Sequence, residues 1–224
     1  MIINVSNEFC SKKNQKHLYK TIDLGTIKMQ IMNIRYKNSS VNIIENVYEP
    51  SEDSFLLADA ALSEIKGSER LLEVGCGSGL ISAVIKANTD ASVIGIDINP
   101  YAVKCSRDNG VEVIRGDIVS CIKGRFDLII FNPPYLPTKE NEREIGWINA
   151  ALDGGHDGRK VIYRFLEDAG RCLVRGGKIL MLVSSLSGID EIKSRIVSLG
   201  YAVEDNRHEK YMYEQLTILS ASKM

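Results

Sequence analysis

The feature that most constrains the fold is a regular alternation, from Pro50 onward, of short apolar segments with segments of helical periodicity. The apolar segments predict strands at 71–74, 91–96, 111–114, 126–131, 178–183, 201–204 and 214–219, with helices at 51–65, 80–87, 100–109, 157–173 and 189–198. Because the middle strands are apolar throughout, they predict a parallel sheet that helices cover on both faces. No helix separates the last two strands, so we expect them to pair antiparallel.

The first 46 residues lack this alternation. Residues 27–31 and 41–44 alternate loosely between apolar and polar side chains, and 37–40 lie between them as a polar turn segment. This pattern predicts a small β-hairpin. We therefore expect an N-terminal β-like extension over residues 1–46 and one α/β domain over residues 47–224.

Composition narrows the class of protein. The 224 residues are 44% hydrophobic and 25% charged, and the net charge of −1 does not predict a broad basic surface for nucleic acid. The five cysteines form no C-x-x-C pair and the three histidines are dispersed, which predicts a reducing compartment, no disulfide framework and no metal site. The N-terminal 20 residues show no signal-peptide pattern, and no apolar run is long enough for a bilayer, so we expect a cytoplasmic protein.

A glycine-rich segment, residues 75–79, joins the strand at 71–74 to the next helix, where open α/β sheets form a ligand crevice. Gly75, Gly77 and Gly79 would let the backbone turn sharply and approach a ligand. Taken alone, the spacing fits a tight strand–helix turn equally well. Glu73 precedes the glycines, and its carboxylate would repel phosphates but suits a cationic sulfonium ligand.

Two aspartates follow the next two strands. Asp97 comes 22 positions after Gly75, a distance at which an acid can accept both hydrogen bonds of a ribose diol. Asp117 follows the third strand, where a carboxylate can accept from an adenine amino group. A turn or N-cap role is the alternative for Asp117.

The sequence Asn132-Pro133-Pro134-Tyr135 directly follows the strand at 126–131. Prolines carry no N–H, so their carbonyls are presented as acceptors, and the Asn132 side chain adds another oxygen. Two acceptors beside the aromatic ring of Tyr135 match the two donors of an –NH2 group on a planar carbon, on which the ring can stack. We expect a methyl-accepting nitrogen here; a rigid loop without chemistry is the alternative.

Together with the segment 73–79, this motif resembles the class I S-adenosylmethionine-dependent amino-methyltransferases. The segments 47–57, 97–100 and 154–159 narrow the resemblance to the HemK family of protein-glutamine methyltransferases, and to its archaeal and eukaryotic branch. The resemblance covers residues 45 to 220. It implies a Rossmann-like sheet of seven mostly parallel strands with an antiparallel final strand.

The resemblance also implies the ligands. The substrate in that family is the glutamine of a Gly-Gly-Gln loop in a translation release factor, and the cofactor is S-adenosylmethionine, released as S-adenosylhomocysteine. The catalytic set is Asn132, Pro133 and Tyr135, and the cofactor set is Ser54, Glu73, Gly75, Gly77, Gly79, Asp97, Asp117 and Asn132, with Asn132 counted in both. Ser54 stands where relatives more often carry threonine, and it keeps the hydroxyl.

One departure from bacterial HemK enzymes concerns substrate recognition, because residues 1–46 are too few for their helical substrate-binding domain. Relatives in the archaeal and eukaryotic branch act with a small zinc-binding activator protein, which could pair with an edge strand near Val111–Ile114. An adenine or cytosine amino-methyltransferase acting on DNA or RNA remains an alternative, since an exocyclic amine fits the same pocket. A protein-lysine methyltransferase is a further alternative.

Overall fold

The computed structural model describes residues 2–6, 16–23, 28–143 and 145–223. The strands in these ranges are β1 (Ile2–Ser6), β2 (Lys16–Asp23), β3 (Lys28–Tyr36), β4 (Ser39–Ile43), β5 (Arg70–Val74), β6 (Ser92–Asp97), β7 (Glu112–Arg115), β8 (Phe126–Phe131), β9 (Leu173–Ser184), β10 (Tyr201–Lys210) and β11 (Gln215–Lys223). The helices are α1 (Glu52–Glu64), α2 (Leu80–Asn88), α3 (Pro100–Asp108), α4 (Trp147–Ala150), α5 (Lys160–Ala169) and α6 (Ile189–Ser198).

Strands β5 to β11 form one sheet in the order β10-β11-β9-β8-β5-β6-β7. The neighbours among β5 to β9 are parallel, whereas β11 runs antiparallel to both β9 and β10. The prediction of seven mostly parallel strands with an antiparallel final strand is therefore confirmed. At the sheet centre Val74 of β5 pairs with Phe131 of β8, so the segments that follow these two strands leave the same edge of the sheet.

The central strands are buried on both faces, which explains their uninterrupted apolar sequence. In β8, Leu128 and Ile130 face the core that includes α1 and α2, whereas Ile129 and Phe131 face the core that includes α5 and α6. The four side chains are at most 5% exposed. Because both faces of β8 are packed, the backbone is held in place at the end of this strand, which Asn132 directly follows.

The N-terminal strands form a separate antiparallel sheet in the order β1-β2-β3-β4. Its β3–β4 pair is the hairpin that the sequence predicted, with register from Met32↔Ile43 to Tyr36↔Ser39. Ile34 and Val41 are fully buried in the core that also contains residues of α1 and α2. Residues 7–15 and 24–27 of the expected extension lie outside the described residues, and the boundary at residue 47 stays a prediction.

Several predicted elements have different bounds in the structure, and β10 and α5 are two of them. Strand β10 was predicted to end at residue 204, but it pairs with β11 as far as Lys210↔Gln215. It is an edge strand with polar side chains exposed, so ladder hydrogen bonds rather than apolar burial define its length. The helix predicted over 157–173 is confined to α5, and β9 starts at Leu173. No helix in the described part of the chain is long and apolar enough to cross a membrane.

Candidate active site

A cavity of about 320 Å³ opens beyond the carboxyl ends of β5, β6 and β8. This is the place where open α/β sheets bind ligands. Nine of the ten residues predicted for the site contribute to the lining, namely Ser54, Glu73, Gly75, Gly77, Asp97, Asp117, Asn132, Pro133 and Tyr135. The tenth, Gly79, does not belong to the lining.

The glycine turn, residues 75–79, joins β5 to α2. Gly75 and Gly77 have φ angles of +63° and +55°, in the left-handed region that glycine adopts most readily. The Gly77 N–H donates to Asp97 Oδ2 over 2.8 Å, which ties the turn to the end of β6. A Cβ on Gly79 would lie 2.9 Å from Val111 Cγ2, so this third glycine allows close packing here. Its place in the cofactor set stays a prediction.

Two buried carboxylates lie against the glycine turn. Glu73 is 3% exposed, and its Oε2 accepts from the Ser82 N–H at 2.9 Å and from the Ser82 hydroxyl. Burial raises the pKa of Glu73 to about 7, although these hydrogen bonds act in the opposite direction. Burial also raises the pKa of Asp97, against hydrogen bonds from the N–H groups of Gly77 and Asn99. A cation bound in the cavity would favour the ionised forms of both acids.

Asp117 lies at the rim of the cavity and forms an ion pair with Arg164 of α5. The distance from Arg164 Nη2 to Asp117 Oδ2 is 2.6 Å, and both side chains are about half exposed. An exposed pair of this kind contributes little to stability, but it orients the carboxylate. Sequence reasoning missed Arg164, because 47 residues separate it from Asp117 and no local pattern links them.

Asn132 is the first residue after β8, and its side chain has one partnered and one unpartnered end. Its Nδ2 donates to Asp53 Oδ2 over 3.0 Å. Its Oδ1 is buried and has no hydrogen-bond partner among the residues that the structure describes. Since a buried polar atom without a partner is costly, this oxygen indicates a ligand that donates to it. Tyr135 is half-buried in the same lining, and burial raises the pKa of its hydroxyl.

Asp53 and Tyr48 are two further residues in the cavity lining that the predicted site did not include. Asp53 is 4% exposed although it occupies the first turn of α1, and the Tyr48 hydroxyl donates to its Oδ2 over 3.0 Å. From sequence, an acid in the first turn of a helix is also explained as a favourable partner for the helix dipole, so the role of Asp53 stayed open. The signal was its position: Asp53 shares a helix face with the buried Leu56 and Leu57, where a solvated acid is not expected.

The N-P-P-Y segment and Leu136, which follows it, contact residues 152–158. Leu136 N–H donates to the Leu152 carbonyl at 3.1 Å, and Gly154 N–H donates back to the Leu136 carbonyl at 3.0 Å. Gly158 lies directly behind Tyr135, since a Cβ added to it would stand 2.3 Å from the Tyr135 carbonyl oxygen. Residues 152–158 thus support the loop that carries Asn132.

Gly158→Ala should therefore destabilise this loop. The φ angle of +74° disfavours alanine and the new methyl overlaps a backbone oxygen, so we expect a loss of about 2–5 kcal/mol in the free energy of unfolding. Denaturant unfolding measures this loss. Gly67→Ala is the matched control, because no atom lies within 4 Å of its added Cβ and its φ is not positive. Equal stability of the two variants would contradict the supporting role of Gly158.

Antiparallel β11 lies between β9 and β10 in the sheet, and the site lies at the carboxyl ends of the parallel strands. This fold and site define a class I S-adenosylmethionine-dependent methyltransferase. The family model of the methyltransferase small domain matches residues 52–211. Together with the relatives described next, this match shows that the chain belongs to the HemK family of methyltransferases. The fold and the family imply S-adenosylmethionine as the methyl donor.

Three relatives illustrate the similarity. A Methanocaldococcus jannaschii protein, whose name assigns it provisionally to the protein N5-glutamine methyltransferases, is 37% identical over 86% of this chain and its own full length. Human methyltransferase HEMK2 is 43% identical over 80% of this chain and 90% of its own. The E. cuniculi Mtq2–Trm112 complex, described as methylating the translation termination factor eRF1, has a chain with a TM-score of 0.67 and 27% identity, over 80% of this chain and 99% of that one.

Proposed function

We propose that this protein methylates the side-chain amide nitrogen of a glutamine in a translation release factor, the glutamine of a Gly-Gly-Gln loop. The observation that carries the proposal is Asn132 Oδ1, an unpartnered buried acceptor in the cavity at the end of β8. The relatives support it, because one is named for N5-glutamine methylation and another for methylation of eRF1. The expected cytoplasmic location belongs to this proposal.

The residues of the cavity fit S-adenosylmethionine, which supplies an electrophilic methyl group when bound. The glycine turn presents backbone beside the buried acids Glu73 and Asp97, which suits a ligand with a cationic centre and a diol. Asp97 would accept from the ribose hydroxyls, and Asp117, oriented by Arg164, would accept from the adenine amino group. Ser54 lies in the same lining and offers a hydroxyl.

The substrate nitrogen needs orientation because the lone pair of an amide is delocalised. Asn132 Oδ1 and the carbonyl of Pro133 would accept its two N–H groups, hold the nitrogen toward the cofactor side of the cavity and increase its electron density. Tyr135 would pack on the planar amide. These fixed dipoles act without reorganisation, so positioning and electrostatics supply most of the acceleration, and the N–H proton leaves after the transfer.

The affinity for S-adenosylmethionine should rise with pH through about 7, the raised pKa of Glu73. A cationic ligand favours the ionised carboxylate, so we expect roughly fivefold tighter binding at pH 8 than at pH 6. The stability of the unliganded protein should depend on pH with the opposite sign. Between the ordinary pKa of a glutamate and about 7, only the folded chain keeps this proton, so the contribution of Glu73 to stability falls as the pH rises.

Calorimetric binding across this pH range measures the effect, with Glu73→Gln as the control that cannot ionise. The ammonium group of the cofactor itself titrates nearby, so the informative quantity is the difference between the two pH profiles. The same pH dependence in both proteins would remove Glu73 from the cofactor site.

We further propose that a small partner protein, of the zinc-binding activator kind that the resemblance implies, pairs with β7. The sequence predicted this site near Val111–Ile114, and β7 (Glu112–Arg115) is one of the two outer strands of the sheet. Ile114 of β7 is 41% exposed and Ile98, which follows β6, is 50% exposed, so the edge carries apolar surface as well as unpaired backbone groups. The Mtq2 chain of E. cuniculi forms a complex with Trm112, which supports a partner of that type.

Ile114→Lys should weaken binding of a Trm112-type protein by about tenfold or more, because a charge replaces apolar surface at a strand edge. Affinity for S-adenosylmethionine in the isolated chain should not change. Val197→Lys is the control, since Val197 is 54% exposed on α6 at another part of the surface. Calorimetric titration with the partner measures both variants, and wild-type affinity in Ile114→Lys would exclude this edge.

The function itself is tested by incubating the protein, with and without the Trm112-type partner, with methyl-labelled cofactor. The acceptors are a release factor, the same factor with its Gly-Gly-Gln glutamine changed to alanine, tRNA and DNA. We expect label only in the intact factor, and mass spectrometry should place the methyl group on that glutamine. Label in nucleic acid alone, or on a lysine, would overturn the proposal in favour of the corresponding alternative.

A further inference from the structure

The Asp53 carboxylate is the acceptor in four hydrogen bonds. Its Oδ1 accepts from the Ser54 N–H at 2.6 Å and the Ser54 hydroxyl at 3.1 Å. Its Oδ2 accepts from the Tyr48 hydroxyl and from Asn132 Nδ2, both at 3.0 Å. An ionised carboxylate can only accept, so this arrangement satisfies both oxygens of a side chain that is 4% exposed.

This arrangement decides which way the Asn132 amide points. An asparagine side chain has two orientations of nearly equal shape, which differ by exchange of the oxygen and the nitrogen. With Nδ2 toward Asp53, the amide donates to a carboxylate, and Oδ1 is left as a buried acceptor without a partner in the described ranges. The reverse orientation would set Oδ1 against Asp53 Oδ2 and turn the N–H2 group to where Oδ1 now lies. Two oxygens at that separation repel, so Asp53 excludes it.

We infer that Asp53 is a positioning residue that fixes the Asn132 amide with its oxygen as the free acceptor, and that it thereby selects an amide substrate against a carboxylate. The inference rests on the proposed function. An acceptor in the pocket can take a hydrogen bond from the N–H2 group of glutamine. With glutamate bound, the same acceptor would face a carboxylate oxygen and repel it. Tyr48, whose hydroxyl donates to the same Oδ2, holds the carboxylate in place from the other side.

A reciprocal exchange tests this role. In Asp53→Asn, the new side chain can keep its oxygen on Ser54, but its N–H2 group then faces the Asn132 N–H2 group and favours the wrong orientation. We expect kcat to fall about 10²-fold, with S-adenosylmethionine affinity within about threefold of wild type. Asn132→Asp alone should be at least as impaired, because two carboxylates then face each other.

The double variant Asp53→Asn/Asn132→Asp restores a donor facing an acceptor, and it again leaves a carboxyl oxygen of residue 132 unpaired. We expect its kcat to exceed that of Asp53→Asn by about tenfold. A residue that only stabilises the fold would not show recovery on exchange. A double variant no faster than either single variant, or an Asp53→Asn protein with wild-type kcat, would overturn the inference.

Two single variants calibrate the effect. Tyr48→Phe removes one of the four hydrogen bonds to Asp53 and should lower kcat by less than about tenfold. Asp59→Asn is the matched control, because Asp59 lies on the same helix and accepts from the Tyr36 hydroxyl at 2.7 Å, but it is not part of the cavity lining. Its kcat should equal that of wild type, and a loss as large as that of Asp53→Asn would assign both effects to the helix rather than to Asn132.

Two further measurements separate this inference from the proposed function. A release factor with glutamate in place of the Gly-Gly-Gln glutamine should inhibit Asp53→Asn at least fivefold more strongly than wild type, relative to the affinity of each for the intact factor. In nuclear magnetic resonance, the Asn132 side-chain N–H2 signals, identified by their loss in Asn132→Ala, should exchange slowly with solvent in wild type and faster in Asp53→Asn. If wild type does not methylate the glutamine, the proposed function fails, and unchanged exchange in Asp53→Asn would refute the role of Asp53 on its own.

Discussion

Replacing Asn132 by alanine should lower kcat for glutamine methylation by about 10²- to 10³-fold, while the affinity for S-adenosylmethionine changes by less than about threefold. The variant removes Oδ1, the buried acceptor for which the described part of the chain offers no hydrogen-bond partner. In the proposed function this oxygen takes an N–H of the substrate amide, and a preorganised dipole of this kind contributes most where charge develops during transfer. Asp53 keeps hydrogen bonds from Tyr48 and Ser54, so the fold should persist.

Single-turnover transfer of a labelled methyl group and calorimetric cofactor binding measure the two quantities separately. Asn88→Ala is the control, because Asn88 is an exposed asparagine at the end of α2, far along the chain from the N-P-P-Y segment. Loss of cofactor binding at unchanged kcat would show that Asn132 belongs to the cofactor site alone. Unchanged transfer would remove it from both sites.

Replacing Asp97 by alanine should give the opposite pattern, a loss of S-adenosylmethionine affinity of about 10²-fold or more. Asp97 is 9% exposed at the end of β6, and it would accept from the ribose hydroxyls. It also accepts from the N–H groups of Gly77 and Asn99, each at 2.8 Å, so the variant removes one of the hydrogen bonds that hold the glycine turn at the end of β6. Both losses act on the bound cofactor, whereas the Asn132 acceptor is untouched.

Calorimetric binding checks this prediction, and the rate at saturating cofactor should recover toward that of wild type. Asp108→Ala is the control, since Asp108 is an exposed acid on α3 that pairs with Lys104 on the surface. Thermal unfolding of both variants separates a lost ligand contact from a lost fold. Wild-type affinity in Asp97→Ala would exclude the ribose role, and a loss of similar size in Asp108→Ala would point to a general charge effect.

The strands themselves could be anticipated wherever burial is two-sided, because such strands must be apolar throughout. Strand β8 has the predicted bounds for that reason, and it carries Asn132 to the sheet edge that the glycine turn also occupies. The sequence predicted β10 too short. Hydrogen bonds to β11 hold the outer part of this strand, and its polar side chains show no apolar alternation that would indicate this pairing.

The motifs that line the cavity could be recognised in the sequence because each consists of residues that are close together in the chain. A glycine turn, an acid at a strand end and N-P-P-Y are defined by neighbours in the chain, and strand ends of a parallel sheet converge on one edge whatever the loops between them. The close contact of Gly79 with Ser106 and Val111 is not local, so only the tertiary structure shows it.

The sequence by itself determined the sheet, the edge at which its motifs meet and the residue types of the cavity. Tertiary structure alone decided how the polar atoms in that cavity are oriented. Asp53 and Asn132 are 79 residues apart, and Asp117 and Arg164 are 47 apart. A hydrogen bond depends on the direction of a donor within a fraction of an ångström, and periodicity along a chain specifies which face a residue occupies but not which atom it presents.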